Sequence, residues 1–216
     1  CTLALYAVVT AAGPGAVQRM AEAPGALQGL VAALAAGSGA GAARVKDGNL
    51  DRTEGLVQSM AEFAGYLLAS AAASGPGHAQ RLAQVPGALE ALVATMGAGG
   101  DAAYPSAGVL AQLAHAGPEI AQRVAQVPGA LSTLVAAVAA RGKATSNSAG
   151  VLNALARADP ALAWRLADEA LAALPTLIAA VAGGREAATS SAAAVAGVCE
   201  AYPWLAERVA EAPGLL

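Results

Sequence analysis

One segment of this sequence recurs five times, and this repeat limits the possible folds more than any other feature. Each copy opens on a proline, and the fuller copies continue into a Pro-Gly pair and then a stretch rich in alanine, leucine and valine. The leading prolines are Pro14, Pro76, Pro118, Pro160 and Pro203. Their spacings are 62, 42, 42 and 43 residues, so the first interval holds one 42-residue unit and an insertion of 20 residues. Repeats of this length bury their apolar faces by stacking on one another, which predicts a stacked array.

The third unit indicates that each repeat contains three helices. Proline is tolerated in the first turn of a helix because its missing N–H would have no partner there, so Pro118 predicts the start of a short first helix. Pro128-Gly129 ends that helix, and a third helix is expected from about Thr145 to Arg157. No stretch sustains a period of two, so we expect no sheet. The second helix is predicted over residues 130–140, with four apolar residues on one face: Leu131, Leu134, Val135 and Val138.

The unit resembles the armadillo repeat, which has a short first helix, a glycine bend and two longer helices. The matching bend glycines are Gly25, Gly87, Gly129 and Gly214. Pairs of large aliphatic residues in the second helix also match: Leu30-Val31, Leu92-Val93, Leu134-Val135 and Leu177-Ile178. In the copy from Pro160, Glu169-Ala170 replaces the Pro-Gly pair, and Pro175 is an alternative start for its second helix. The resemblance covers nearly the whole chain. It implies an all-α, right-handed superhelical solenoid of armadillo or HEAT type, with about four repeats and partial repeats at both ends.

We expect one armadillo-like domain over residues 1–216, with a loop insertion over residues 36–55. Solenoids need polar capping repeats to cover their terminal apolar faces. Residues 1–12 look like an isolated third helix and residues 203–216 stop just after a bend, so neither end has the sequence of a cap. We therefore expect a piece of a longer array, or ends that other chains cover.

Armadillo proteins that bind extended peptides share a ladder of asparagines on the third helices of their repeats. A tryptophan precedes each asparagine by one helical turn. The corresponding asparagine positions here hold Val8, Ser70, Gln112, Ala154 and Gly197. The tryptophan positions hold Ala4, Tyr66, Gly108, Gly150 and Ala193. Asn153 is one residue from its ladder position, which rotates it by about 100° around the helix. The resemblance therefore implies the fold and a binding role, but not that mode of peptide binding.

An arginine lies five residues after every leading proline, and this row is the first candidate partner-binding feature: Arg19, Arg81, Arg123, Arg165 and Arg208. An acidic or amide residue follows three positions later each time, and residues at i and i+3 meet on a helix surface. Two interpretations stay open. In the favoured one, each arginine bonds a neighbouring carbonyl or acid and covers apolar surface with its stem. In the other, the row of guanidinium groups binds an acidic strip on a partner.

The insertion is the second candidate, because it concentrates charge in a chain that has little. Its basic residues are Arg44, Lys46 and Arg52. A glycine- and serine-rich beginning favours flexibility, and loops carry function more often than scaffolds do. The insertion is therefore either a solvated loop, which we favour, or a partner-specific contact.

No catalytic pattern is present in the sequence. It has no nucleophile elbow, phosphate-binding loop, HExxH or CxxC motif. The two histidines, His78 and His115, follow or precede leading prolines and are expected at repeat junctions or on the surface. Tyr104-Pro105 is expected to serve packing or to lie at a repeat junction. We therefore expect a protein that is not an enzyme, with no catalytic residue, no cofactor and no metal site.

The charge balance and composition of the chain exclude some classes of partner and location. Twelve basic residues against 15 acidic ones leave a net charge of −3, so no basic surplus is available to neutralise phosphates, and we expect no nucleic-acid partner. The longest uncharged runs contain proline and glycine, so we expect no membrane span. With no signal peptide and only two cysteines, we expect an intracellular, cytoplasmic protein. The resulting hypothesis is a non-enzymatic protein–protein interaction scaffold. The alternatives are a structural spacer subunit in a larger assembly and an armadillo-like region of a larger multidomain protein.

Overall fold

The fold is built only from helices wherever the structure describes the chain. The computed structural model describes residues 14–40, 51–140, 142–159, 162 and 165. Within these residues every regular element is an α-helix and none is a strand, which confirms the predicted all-α class. In chain order, the helices are α1 Pro14–Glu22, α2 Ala26–Ala40, α3 Asp51–Ala73, α4 Pro76–Gln84, α5 Ala88–Ala98, α6 Ala103–His115, α7 Pro118–Gln126, α8 Ala130–Ala140 and α9 Thr145–Ala158.

Proline and glycine set the helix boundaries, as the sequence predicts. Helices α4 and α7 begin at Pro76 and Pro118, where the missing N–H leaves no hydrogen bond unmade. Both end before a second proline, and the preceding residue is extended because proline disfavours helical geometry there; ψ is 124° at Val85 and 127° at Val127. The bend that follows needs a positive φ, which glycine supplies: φ is 74° at Gly87 and 75° at Gly129.

The helices recur with the spacing of the sequence repeat. Helices α5 and α8 each have 11 residues, and α8 occupies the predicted 130–140. Helix α9 extends one residue beyond the predicted end at Arg157. The first described segment, which contains α1, α2 and α3, has longer second and third helices, with 15 residues in α2 and 23 in α3. Both ends of the expected loop over residues 36–55 are therefore helical, because α2 continues to Ala40 and α3 begins at Asp51.

Equivalent helices pack side by side. The second helices α2, α5 and α8 form one row of neighbours, and the third helices α3, α6 and α9 form another. Each second helix also packs on the third helix of its own segment. One hydrophobic cluster runs from Val17 to Leu162 through all of these contacts. Its fully buried leucines are Leu34, Leu67, Leu68, Leu82, Leu92, Leu110, Leu113, Leu134 and Leu155.

Several predictions fall outside the described residues. These are the helix expected in residues 1–12, the copies after Pro160 apart from Leu162 and Arg165, and the basic residues Arg44, Lys46 and Arg208. Arg52 lies in the first turn of α3. No helix among the described residues is both long enough and apolar enough to cross a membrane.

Candidate interaction surface

The arginine row lies on the surface of the first helices and contributes at least one structural contact. Arg19, Arg81 and Arg123 are exposed, and so is Arg165. The guanidinium of Arg123 donates a hydrogen bond from Nη2 to the carbonyl oxygen of Ala83, 2.8 Å away, which ties α7 to the end of α4. For Arg123 this contact favours the interpretation in which the arginine bonds a neighbouring carbonyl, because the guanidinium satisfies a carbonyl that the C-terminus of α4 leaves open.

The i, i+3 contact expected between Arg19 and Glu22 is absent from the ion pairs of the described residues. The Glu22 carboxylate instead accepts a hydrogen bond from Gln18 at 3.4 Å and lies 3.8 Å from Nε2 of His78. The arginines therefore do not form a uniform row of pairs, and the role of the row in partner binding stays a prediction.

A second surface emerges on the third helices, which we call the third-helix face. Each of α3, α6 and α9 carries four residues at i, i+4, i+7 and i+11, a spacing that places them on one side of a helix. All twelve are exposed or half-exposed. The third-helix face consists of Glu62, Tyr66, Ala69 and Ala73 on α3; Tyr104, Gly108, Ala111 and His115 on α6; and Ser146, Gly150, Asn153 and Arg157 on α9.

Two tyrosines join α3 to α6 at one end of this face. The ring centroids of Tyr66 and Tyr104 are 6.3 Å apart and the ring planes are inclined by 58°, a favourable tilted arrangement. Tyr66 is half-buried, whereas Tyr104 is 38% exposed. The helices approach closely because Gly65 has no side chain; a Cβ there would lie 3.0 Å from Cγ of Pro105.

Helices α6 and α9 also approach each other closely at a glycine. A Cβ on Gly108 would lie 3.2 Å from Nδ2 of Asn147, and that amide donates a 3.4 Å hydrogen bond to the carbonyl oxygen of Tyr104. Just outside the face, Lys143 Nζ lies 3.0 Å from Oδ1 of Asp101, with both side chains largely exposed. The hydrogen bond that Lys143 donates to the Asp101 carboxylate, and then the negative charge of that carboxylate, raise the pKa of Lys143 above its ordinary value.

An open groove lies at the other end of the face, between the C-terminal halves of α6 and α9 and the start of α7. Its volume is about 460 Å³. Three of its lining residues carry polar side chains, namely His115, Asn153 and Arg157. Nδ1 of His115 lies 2.7 Å from the carbonyl oxygen of Ala111, and since a carbonyl can only accept, Nδ1 carries the proton. The remaining lining residues are Ala114, Gly117, Pro118, Ala154 and Ala158.

The sequence predicts part of the third-helix face but does not predict the groove. The positions that correspond to the tryptophans of peptide-binding armadillo proteins, Tyr66, Gly108 and Gly150, all belong to the third-helix face. Of the ladder positions, Ser70 and Gln112 are exposed but Ala154 is buried. Asn153, one residue away, is exposed on the face instead. The 42-residue offset aligns equivalent positions of the three third helices, but five of the twelve residues on the face are alanine or glycine, so a polar pattern does not mark the stripe in the sequence.

The described part of the chain holds no group of three or more histidine, cysteine, aspartate or glutamate side chains that could bind a metal ion. His115 is the imidazole on the third-helix face, and its Nδ1 is engaged by a backbone carbonyl rather than by an acidic partner. The chemistry that this surface offers is therefore hydrogen bonding, charge and aromatic contact. No protein-family model matches the sequence, and no curated protein is significantly similar to it.

Proposed function

We propose that this chain is a non-enzymatic scaffold that binds another protein through the third-helix face. The observation that carries the proposal is the recurrence of one exposed stripe on three adjacent helices, with an exposed tyrosine on the middle helix at one end of the stripe. Tyrosine supplies a large contact area with little conformational freedom to lose, which is why it is enriched among the residues that dominate binding energy at interfaces.

We further propose that the helices form a right-handed solenoid of armadillo type. The support is the regular offset of 42 residues between α4 and α7, α5 and α8, and α6 and α9. Contacts between equivalent helices are the second support, because in a solenoid each unit packs only on its neighbours. In such an array the third helices line one continuous surface, which suits an elongated partner.

The spacer hypothesis predicts large apolar patches for packing against other chains. Tyr104 is the only exposed large hydrophobic residue in the described part of the chain, and it stands among small and polar residues of the third-helix face. That distribution favours a partner with a limited contact over permanent burial in an assembly. An armadillo-like region of a larger protein would use the same surface.

Site-specific photo-cross-linking tests this function. We expect a photoreactive phenylalanine at Tyr104 to capture a defined protein, and the same group at Glu90, which is exposed on the second helix α5, to capture none. Once that protein is identified and purified, Tyr104→Ala should weaken its binding by about 2 kcal/mol or more, and Glu90→Ala should leave the Kd unchanged. Equal cross-linking at both positions, or an unchanged Kd for Tyr104→Ala, would refute binding through this face.

A further inference from the structure

Among the described residues, those that line the groove between α6, α7 and α9 supply hydrogen-bond donors but no acidic side chain. Arg157 and Asn153 line it, and neither side chain makes a hydrogen bond or ion pair within the described residues. None of the eight lining residues is acidic. We propose that this groove binds the side-chain carboxylate of an acidic residue in an extended segment of the partner protein. The inference rests on the proposed function and names the partner chemistry at one end of the third-helix face.

Charge complementarity selects an anion. The guanidinium of Arg157 is a fixed positive charge with several N–H donors in one plane, a geometry that matches the two oxygens of a carboxylate. The amide of Asn153 lies four residues before Arg157, one turn earlier on the same side of α9, and supplies a further donor. The beginning of α7 also borders the groove through Gly117 and Pro118, and a helix N-terminus carries partial positive charge. Glu119 in that first turn is exposed and does not line the groove.

His115 favours a peptide over a free anion. Its Nδ1–H is used by the carbonyl oxygen of Ala111, so the neutral ring offers Nε2 as an acceptor. An acceptor beside two donors fits a ligand that carries a backbone N–H as well as a carboxylate. A volume of about 460 Å³ is within the range of roughly 300–1,000 Å³ that is typical of ligand sites.

The rest of the face fits the same segment. Between His115 and Tyr104 the stripe on α6 contains only Ala111 and Gly108, which leave room for a backbone to lie along the helix. His115 lies eleven positions after Tyr104 on α6, about 16 Å along the helix, a distance that about five extended residues span. The partner segment is therefore expected to have an acidic residue and an apolar residue about five positions apart.

The test uses small probes and the whole chain, observed by ¹H–¹⁵N NMR. Titration with Nα-acetylglutamate amide should shift the Nε–H signal of Arg157, the side-chain amide of Asn153 and the backbone amides of residues 114–117 in a saturable way. The neutral isostere Nα-acetylglutamine amide should not. Arg157→Gln should weaken the glutamate probe by about tenfold, whereas Arg81→Gln, which removes an exposed arginine outside the groove, should have no effect. The spectra also report whether each variant is folded.

Equal shifts with the glutamine probe, or undiminished binding to Arg157→Gln, would overturn the proposal. Tighter binding of Nα-acetylalanine, whose carboxylate is at the chain end, would overturn the assignment to a side chain, and tighter binding of inorganic phosphate would overturn the assignment to a carboxylate. This experiment is independent of the cross-linking at Tyr104. If the glutamate probe fails while Tyr104 cross-links, the groove proposal alone is wrong; if the probe binds while Tyr104 captures nothing, the scaffold function is wrong.

Discussion

His78 occupies a position that holds a buried aliphatic residue in the next two copies of the repeat. Ile120 and Leu162, at successive steps of 42 residues, fill the equivalent sites and are buried. The side chain of His78 is only 11% exposed, and its Nε2 has no hydrogen-bond partner in the described part of the chain; Oε1 of Glu22 lies 3.8 Å away. A buried polar atom without a partner lowers stability, because its hydrogen bond to water is lost and not replaced.

We therefore expect His78→Leu to raise the free energy of unfolding by roughly 1–2 kcal/mol in urea titrations. The reciprocal change Ile120→His should lower it by a similar amount, since it creates the same unsatisfied group in the next segment. A loss of stability in His78→Leu would mean that the contact between His78 and Glu22 stabilises the junction of α1 and α4.

Small residues control how closely the third helices approach, which is a property of whole elements. A Cβ on Gly65 would lie 3.0 and 3.1 Å from the ring of Pro105, whereas a Cβ on Gly150 meets no atom within 4 Å. Gly65→Ala should therefore destabilise the protein by about 1–3 kcal/mol, because α3 and α6 must move apart. Gly150→Ala, the control in α9, should stabilise it by about 1 kcal/mol through helix propensity. Thermal unfolding of the two variants checks the difference in sign, and stabilisation by both would mean that the contact of α3 with α6 is loose.

Helix boundaries can be predicted from the sequence wherever proline and glycine mark them. The repeat, together with Pro118 and Pro128-Gly129, was sufficient to predict α7, α8 and α9 to within a residue or so. The lengths of α2 and α3 cannot be predicted, because the insertion has no counterpart in the other copies. Its sequence mixes alanine, which favours helix, with glycine, which disfavours it, so the pattern indicates neither a loop nor a long helix.

The exposed side of each helix was harder still to predict. Alanine occurs on both sides, buried at Ala64 and exposed at Ala73, so hydropathy does not distinguish core from surface in this chain. Tyr104 and Pro105 are adjacent, and the sequence predicts packing or junction positions for both; Pro105 is buried, whereas Tyr104 contacts the ring of Tyr66 and is still 38% exposed. The groove requires three helices from two successive segments, and a single sequence does not specify their offset.

The proposed solenoid has a thermodynamic consequence that a globular helical bundle lacks. If each segment contacts only its neighbours, a cavity at one end should loosen nearby helices more than distant ones. Leu34 in α2 and Leu155 in α9 are both fully buried and lie in the first and third of the described segments. Truncating either to alanine removes about 2–5 kcal/mol of packing.

Hydrogen exchange measured by mass spectrometry should then show mirror-image patterns. In Leu34→Ala, exchange should accelerate most in α1–α3, less in α4–α6 and least in α7–α9; in Leu155→Ala the order should reverse. The gradient is expected because, among the described residues, the middle segment joins the two ends through the contacts of α5 with α2 and α8 and of α6 with α3 and α9. The same acceleration in every helix for both variants would mean that the helices unfold as one cooperative unit, and the nearest-neighbour architecture would be wrong.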